Sequence, residues 1–137
     1  MSLMKLAFTG TCKGMSENQK KQLINRLETF QKLGYEFEWH HGCCVGADVE
    51  FDGIVRHFKS SGYLHPSNIH KTTIDCFELE DVLYLSLPPI VRNHIMVDVS
   101  DTLIAAPDSD TEKLRSGTWA TVRYARKKGI NIFILER

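Results

Sequence analysis

Residues 5–34 read KLAFTGTCKGMSENQKKQLINRLETFQKLG, and this run decides the fold. Residues 5–9 are a short apolar stretch stopped by Gly10. Ser16, with Gln19 three residues on, is a capping box that opens a helix. Within that helix Leu23, Leu27 and Phe30 recur at spacings of four and three beside Ile24, which gives one apolar face. Gly34 suits the left-handed position that closes a helix. The run is therefore strand, glycine-bearing loop and helix.

The pattern repeats downstream. Glu36-Phe37-Glu38-Trp39-His40 alternates with period two, which predicts a strand with one wetter face lying near a sheet edge. A turn over residues 42–46 follows. Phe51, Ile54, Val55 and Phe58 then define an amphipathic helix from Ala47 to about residue 60, stopped by Gly62. Periodicity fades over residues 63–81, where a short strand around Tyr63-Leu64-His65 is the one element expected; the rest reads as a loop that varies or covers a ligand. Residues 83–87 suit a strand or extended segment before Pro88-Pro89, and residues 90–100 a helix led by proline. Residues 102–106 form another apolar strand and residues 107–115 a polar loop. Ser116 caps a helix that runs to Lys128 and ends at Gly129, and residues 131–135 are the last strand. Upstream, Met1-Ser2-Leu3 precede a second methionine, Met4, are compatible with a cloning remnant, and stay outside the fold expectation.

Strands that alternate with helices need crossover connections, and these build parallel sheets. The expectation is an α/β chain: a Rossmann-like three-layer α/β/α sandwich with a mostly parallel sheet, in a single domain over residues 1–137, without repeat or linker. Composition agrees: 42% apolar and 25% charged residues are ordinary globular values. Seventeen basic against seventeen acidic residues leave no broad field to attract nucleic acid or anionic membrane, so an anion site must be local. No apolar run approaches the roughly 20 residues of a membrane span. Cys12, Cys43, Cys44 and Cys76 lack C-x-x-C spacing and read as thiols of a reducing cytoplasm.

Ligands of open parallel sheets settle beyond the carboxyl ends of the strands, where helix N-termini present free N–H groups. Four places qualify. They are Gly10-Thr11-Cys12-Lys13-Gly14, Gly42-Cys43-Cys44-Val45-Gly46-Ala47-Asp48, Arg92-Asn93, and Ser116-Gly117-Thr118. Glycines admit a phosphate close to the backbone, hydroxyls donate to it, and an arginine fork matches its oxygens.

The combination carries a resemblance. Arg92-Asn93-His94-Ile95-Met96-Val97-Asp98-Val99-Ser100-Asp101 followed by Ser116-Gly117-Thr118-Trp119-Ala120-Thr121 resembles the R-N-x-I-I-x-x-x-S-D and S-G-S/T-x-x-T pattern of the DNA-processing protein DprA. Gly42-x-x-x-Gly46-x-Asp48 resembles the G-x-x-x-G-x-D turn of that family, and Phe8-Thr9-Gly10-Thr11 its opening strand and loop. The likeness spans nearly the whole chain and extends to the SLOG superfamily of Rossmann-like proteins, which includes the LOG phosphoribohydrolases. It implies a nucleotide or nucleotide-derived ligand among Gly10, Thr11, Lys13, Gly14, Gly42, Cys43, Gly46, Asp48, Arg92, Asn93, Ser116, Gly117 and Thr118, with Asp48 and Arg92 the candidate catalytic pair. It also implies a homodimer or higher homo-oligomer. Neither a resident cofactor nor a metal is expected.

The departures are chemical. Arg92 and Met96 fit the R-K-x-x-M of LOG enzymes, and Gly117-Thr118 the core of their P-G-G-x-G-T-x-x-E, but the glutamate falls on Thr121. Threonine carries no charge to steady an oxocarbenium-like centre or to act as a carboxylate base, so Asp48 is the remaining acid. Cys12 replaces the arginine usual after the first strand, leaving Lys13, a point charge without bidentate geometry.

Simpler roles compete. Asp48 also suits a helix cap, and Trp119 reads as core rather than as a base-stacking platform. His40-His41 with Cys43-Cys44 has the composition of a soft metal site, but neighbours on a strand point to opposite faces. Arg123, Arg126, Lys127 and Lys128 complement a helix C-terminus as a solvated face. The leading expectation is a small-molecule nucleotide binder, as a ligand-binding module or nucleotide-processing enzyme. Its rivals are DprA-like single-stranded DNA binding and LOG-like hydrolysis of nucleoside monophosphates.

Overall fold

The structure, a computed structural model, describes residues 2–68 and 72–137; Met1, and residues 69–71 of the expected loop, lie outside it. Its elements are β1 (Ser2–Gly10), α1 (Glu17–Lys32), β2 (Tyr35–His41), α2 (Ala47–Val55), β3 (Ser60–Leu64), β4 (Val82–Leu83), α3 (Pro89–Asp98), β5 (Thr102–Ala106), α4 (Gly117–Lys128) and β6 (Asn131–Ile134). The six strands lie in the order β4-β3-β2-β1-β5-β6, and every pairing is parallel. The chain moves outward from β1 as far as β4, then returns across the sheet to place β5 on the other side of β1. The carboxyl ends of β1 and β5 therefore flank a topological switch point, where loops diverge and leave a crevice.

Alternation along β1 separates two cores. Leu6 and Phe8 join Leu23, Leu27, Phe30, Phe51 and Val55 from α1 and α2. Ala7 joins Met96, Val97, Trp119, Val122 and Ala125 from α3 and α4. Two helices on each face give the three layers, and Trp119 is core.

The start of α1 is fixed twice. Ser16 and Gln19 form the reciprocal capping box, with bonds of 3.1 and 3.0 Å. The buried Gln19 amide also donates to the carbonyls of Pro107 (2.8 Å) and Leu135 (3.2 Å), tying the helix to the ends of β5 and β6.

Three expectations need correction. β2 is not near an edge but lies between β1 and β3. Its polar positions are tolerated inside the sheet because Glu36 pairs with Lys59 (2.8 Å) and Glu38 with His40 (3.1 Å). The second helix stops at Val55 rather than near residue 60, because the Phe37 amide takes the Lys59 carbonyl (3.1 Å) and β3 must begin at Ser60. β1 begins at Ser2, which is in register with Tyr35, so Ser2 and Leu3 belong to the sheet.

Candidate functional site

A cavity of about 500 Å³ opens at the switch point, within the usual range of small-molecule sites. The end of β1 supplies Phe8, Thr9 and Gly10, the following loop Thr11, Cys12 and Lys13, and the loop after β2 Gly42 and Cys44. Asp48 comes from the first turn of α2, Arg92, Asn93 and Met96 from α3, and Gly117 and Thr118 from the N-terminus of α4.

Close packing makes two of these glycines necessary. A Cβ on Gly10 would lie 2.5 Å from that of Ala47, so the end of β1 and the start of α2 touch only because it is absent. A Cβ on Gly42 would fall on the Arg92 guanidinium. That guanidinium is pinned: Nη1 donates to the carbonyls of Gly42 and, at 3.1 Å, of His65. Arg92 is thus partly a clasp between the ends of β2 and β3. Its Nε is buried and has no hydrogen-bond partner among the described residues.

Asp48 is 4% exposed and does not cap α2, whose N-cap is Gly46 without a side-chain bond. Its Oδ2 instead accepts the amides of Gly42 and Cys44, both at 3.1 Å, and folds the preceding loop back on itself. Oδ1 is buried and unpartnered among the described residues. Burial pushes the Asp48 carboxyl above its ordinary range, against the opposing pull of His41, Arg92 and the two amides.

Four expected residues lie off the cavity wall. Ser116 caps α4, accepting the Trp119 amide at 3.2 Å. Cys43 is buried behind the wall at a φ of 58°, with its carbonyl taken by the Thr73 amide (2.8 Å). Gly46, at a φ of 92°, abuts the Cys12 backbone. Gly14 sits beside the Glu50 carboxylate. Conversely, Cys12 and Cys44 line the cavity from loops expected there without being singled out, and Phe8, Thr9, Thr72, Pro89 and Met96 line it without having been named as ligand contacts. Thr72 belongs to the segment without periodicity and reaches the site through its bridge to Cys44, a contact no local pattern encodes.

Thr121, where a LOG enzyme has glutamate, is buried, and its hydroxyl donates to the Gly117 carbonyl at 3.0 Å within its own helix. Among the described residues, one group of possible metal ligands comes together, His41, Asp52 and Cys76, with donor atoms within 4.8 Å. Asp52 is already held by His41 (2.7 Å) and by Nε of Arg56 (2.7 Å), so a cation there would face the Arg56 charge.

No family model matches the chain, and no curated protein matches it in sequence. Solved structures do match. The molybdenum cofactor binding protein from Rippkaea orientalis is 20% identical, with a TM-score of 0.67 over 100% of this chain and 78% of that one. DNA processing protein A from Helicobacter pylori, described with a single-stranded DNA binding mode, is also 20% identical, with a TM-score of 0.67 over 98% and 66%. The Moco carrier protein from Chlamydomonas reinhardtii is 18% identical, with a TM-score of 0.63 over 96% and 75%. At these identities the likeness is one of fold, a Rossmann-like fold shared with these proteins.

Proposed function

We propose that the chain binds a nucleotide or nucleotide-derived ligand in the switch-point cavity. The observation that carries this reading is a pair of buried polar atoms without a partner among the described residues, Oδ1 of Asp48 and Nε of Arg92, both on residues that line the cavity. Leaving a buried donor or acceptor unmade costs about 1–3 kcal/mol, and a ligand offering one donor and one acceptor removes both penalties. The rest of the wall suits such a molecule. Gly117 and Thr118 present first-turn N–H groups of a twelve-residue helix to an anion. Lys13, paired with Asp108 at 3.4 Å, adds positive charge, and Pro89 offers apolar surface to a base.

The single-stranded DNA alternative draws on the likeness to DNA processing protein A. The basic end of α4 gives it little support: Arg123 and Arg126 both pair with Glu112, at 3.1 and 2.8 Å, and Lys128 pairs with Asp98 at 3.4 Å. LOG-type hydrolysis lacks its carboxylate at Thr121, and Asp48 is occupied in shaping the loop.

Thermal unfolding against nucleoside mono-, di- and triphosphates, NAD, ADP-ribose and short single-stranded DNA tests the proposal. A ligand at 100 times its Kd adds about 2.7 kcal/mol, a rise of several degrees for a domain this size. One nucleotide should produce that rise in the native protein and a smaller one in Lys13→Ala/Asn93→Ala, whose side chains line the cavity without bonds to the core. Stabilisation by DNA alone, or by nothing in the panel, would refute the reading.

A further inference from the structure

The cavity wall holds two thiols that the nucleotide reading leaves unused. Cys12 and Cys44 both line it, Cys12 from the loop after β1 and Cys44 from the loop after β2. The two loops are in contact at this point: the Ala47 amide donates to the Thr11 carbonyl at 3.0 Å, and Gly46 lies so close to the Cys12 backbone that a side chain there would collide with it. The Cys12 side chain is near enough to the Cys44 thiol to act on its proton affinity, and Cys12 is exposed while Cys44 is half-buried. The other two cysteines are outside the cavity lining, and Cys43 is fully buried.

We propose that Cys12 and Cys44 are a redox-modification site, an exposed thiol and its resolving partner that close into a disulfide across the two ligand-facing loops under a hydroperoxide oxidant. The roles follow from access. The Cys12 sulfur attacks the outer oxygen of the hydroperoxide, breaking the O–O bond to leave a sulfenic acid and release water or an alcohol. The Cys44 sulfur then attacks the Cys12 sulfur, forming the S–S bond and expelling hydroxide, which leaves as water with the Cys44 proton. Two thiols are oxidised and one peroxide is reduced. Burial, together with the Cys12 contact, pushes the Cys44 thiol up to about 12. Cys44 is therefore the poorer first nucleophile, and the same shift makes its attack on the oxidised Cys12 the slow step of closure. The bond would staple the Lys13 loop to the Cys44 loop in the wall that also carries Asp48.

The test uses the full chain with hydrogen peroxide in slight excess, followed by alkylation and non-reducing peptide mapping. The expected result is a Cys12–Cys44 cross-linked peptide, with Cys43 and Cys76 still alkylated after denaturation and the protein monomer mass reduced by two hydrogens. In Cys44→Ser the sulfenic acid on Cys12 should persist long enough to be trapped by dimedone; in Cys12→Ser, Cys44 should stay reduced at the same dose. Far-ultraviolet circular dichroism checks that both variants are folded, and the native protein supplies the decisive cross-link whatever the variants do. Recovery of Cys12 as a sulfinate or as a disulfide between two chains, with Cys44 reduced, would overturn the proposal, as would a cross-link between Cys43 and Cys76.

Discussion

Arg92 shows how one side chain serves structure and site together. Sequence reasoning cast it as a phosphate fork, yet two backbone carbonyls hold its Nη1. Arg92→Lys keeps the charge but loses the planar geometry that clasps both carbonyls. We expect a loss of about 1–3 kcal/mol in urea unfolding, together with weakened ligand stabilisation; an unchanged midpoint would show that the clasp contributes nothing. His65 gives a prediction in pH. Its ring Nε2 lies 2.8 Å from Nδ1 of the buried His40, and burial, aided by neighbouring positive groups, pushes it from 6.5 down to about 3. A histidine depressed in the folded state takes up its proton first in the unfolded state. Its stabilising contribution is complete above pH 6.5 and is lost as the pH falls toward 3, at about 1.4 kcal/mol per pH unit. Urea midpoints at pH 7 and pH 5 should therefore diverge more in the native protein than in His65→Gln. Equal divergence would assign the acid sensitivity elsewhere. At this scale the placement of Arg92 and Asp48 beside the strand ends was legible in residue type and spacing, whereas their backbone partners were not, because His65 and Gly42 reach Arg92 only through the fold.

Elements were legible where local chemistry decides them. The capping box of α1, the Ser116 cap and the left-handed Gly129 were all read from neighbours within four residues, and all are present. Ser16→Ala should cost about 1 kcal/mol, measured as a lower urea midpoint, and more if the loosened first turn also releases the buried Gln19 from Pro107 and Leu135. Elements set by distant partners were misjudged. The end of α2 is dictated by the register of β3 on β2, and the polar residues of the interior strand β2 are accommodated by the Glu36–Lys59 ion pair and the Glu38–His40 hydrogen bond. Gly42 belongs to this class too: its lack of a side chain is needed for an arginine fifty residues away. Gly42→Ala should displace that guanidinium and destabilise by roughly 1–3 kcal/mol. A neutral result would mean that the clasp tolerates a shift.

For the whole molecule, alternation of strand and helix was enough to anticipate a parallel sheet covered on both faces, and so a crevice at the carboxyl ends. The strand order, which places that crevice between β1 and β5, was not legible, because it depends on where the chain turns back after β4. The segment between β3 and α3 closes part of the wall through Thr72, with almost no periodicity to announce it. Among the described residues no helix is long and apolar enough to cross a membrane.

The nine glycines provide the most direct test of that cavity, since their amide signals separate well in a nitrogen–proton NMR spectrum. Titrating the labelled protein with the nucleotide that most raises its Tm should move Gly10, Gly42 and Gly117, which line the cavity, and leave Gly34, Gly53, Gly62 and Gly129 in place. Shifts confined to those four remote glycines, or no saturable shift at Gly42 and Gly117, would contradict the assignment of the switch-point cavity as the ligand site.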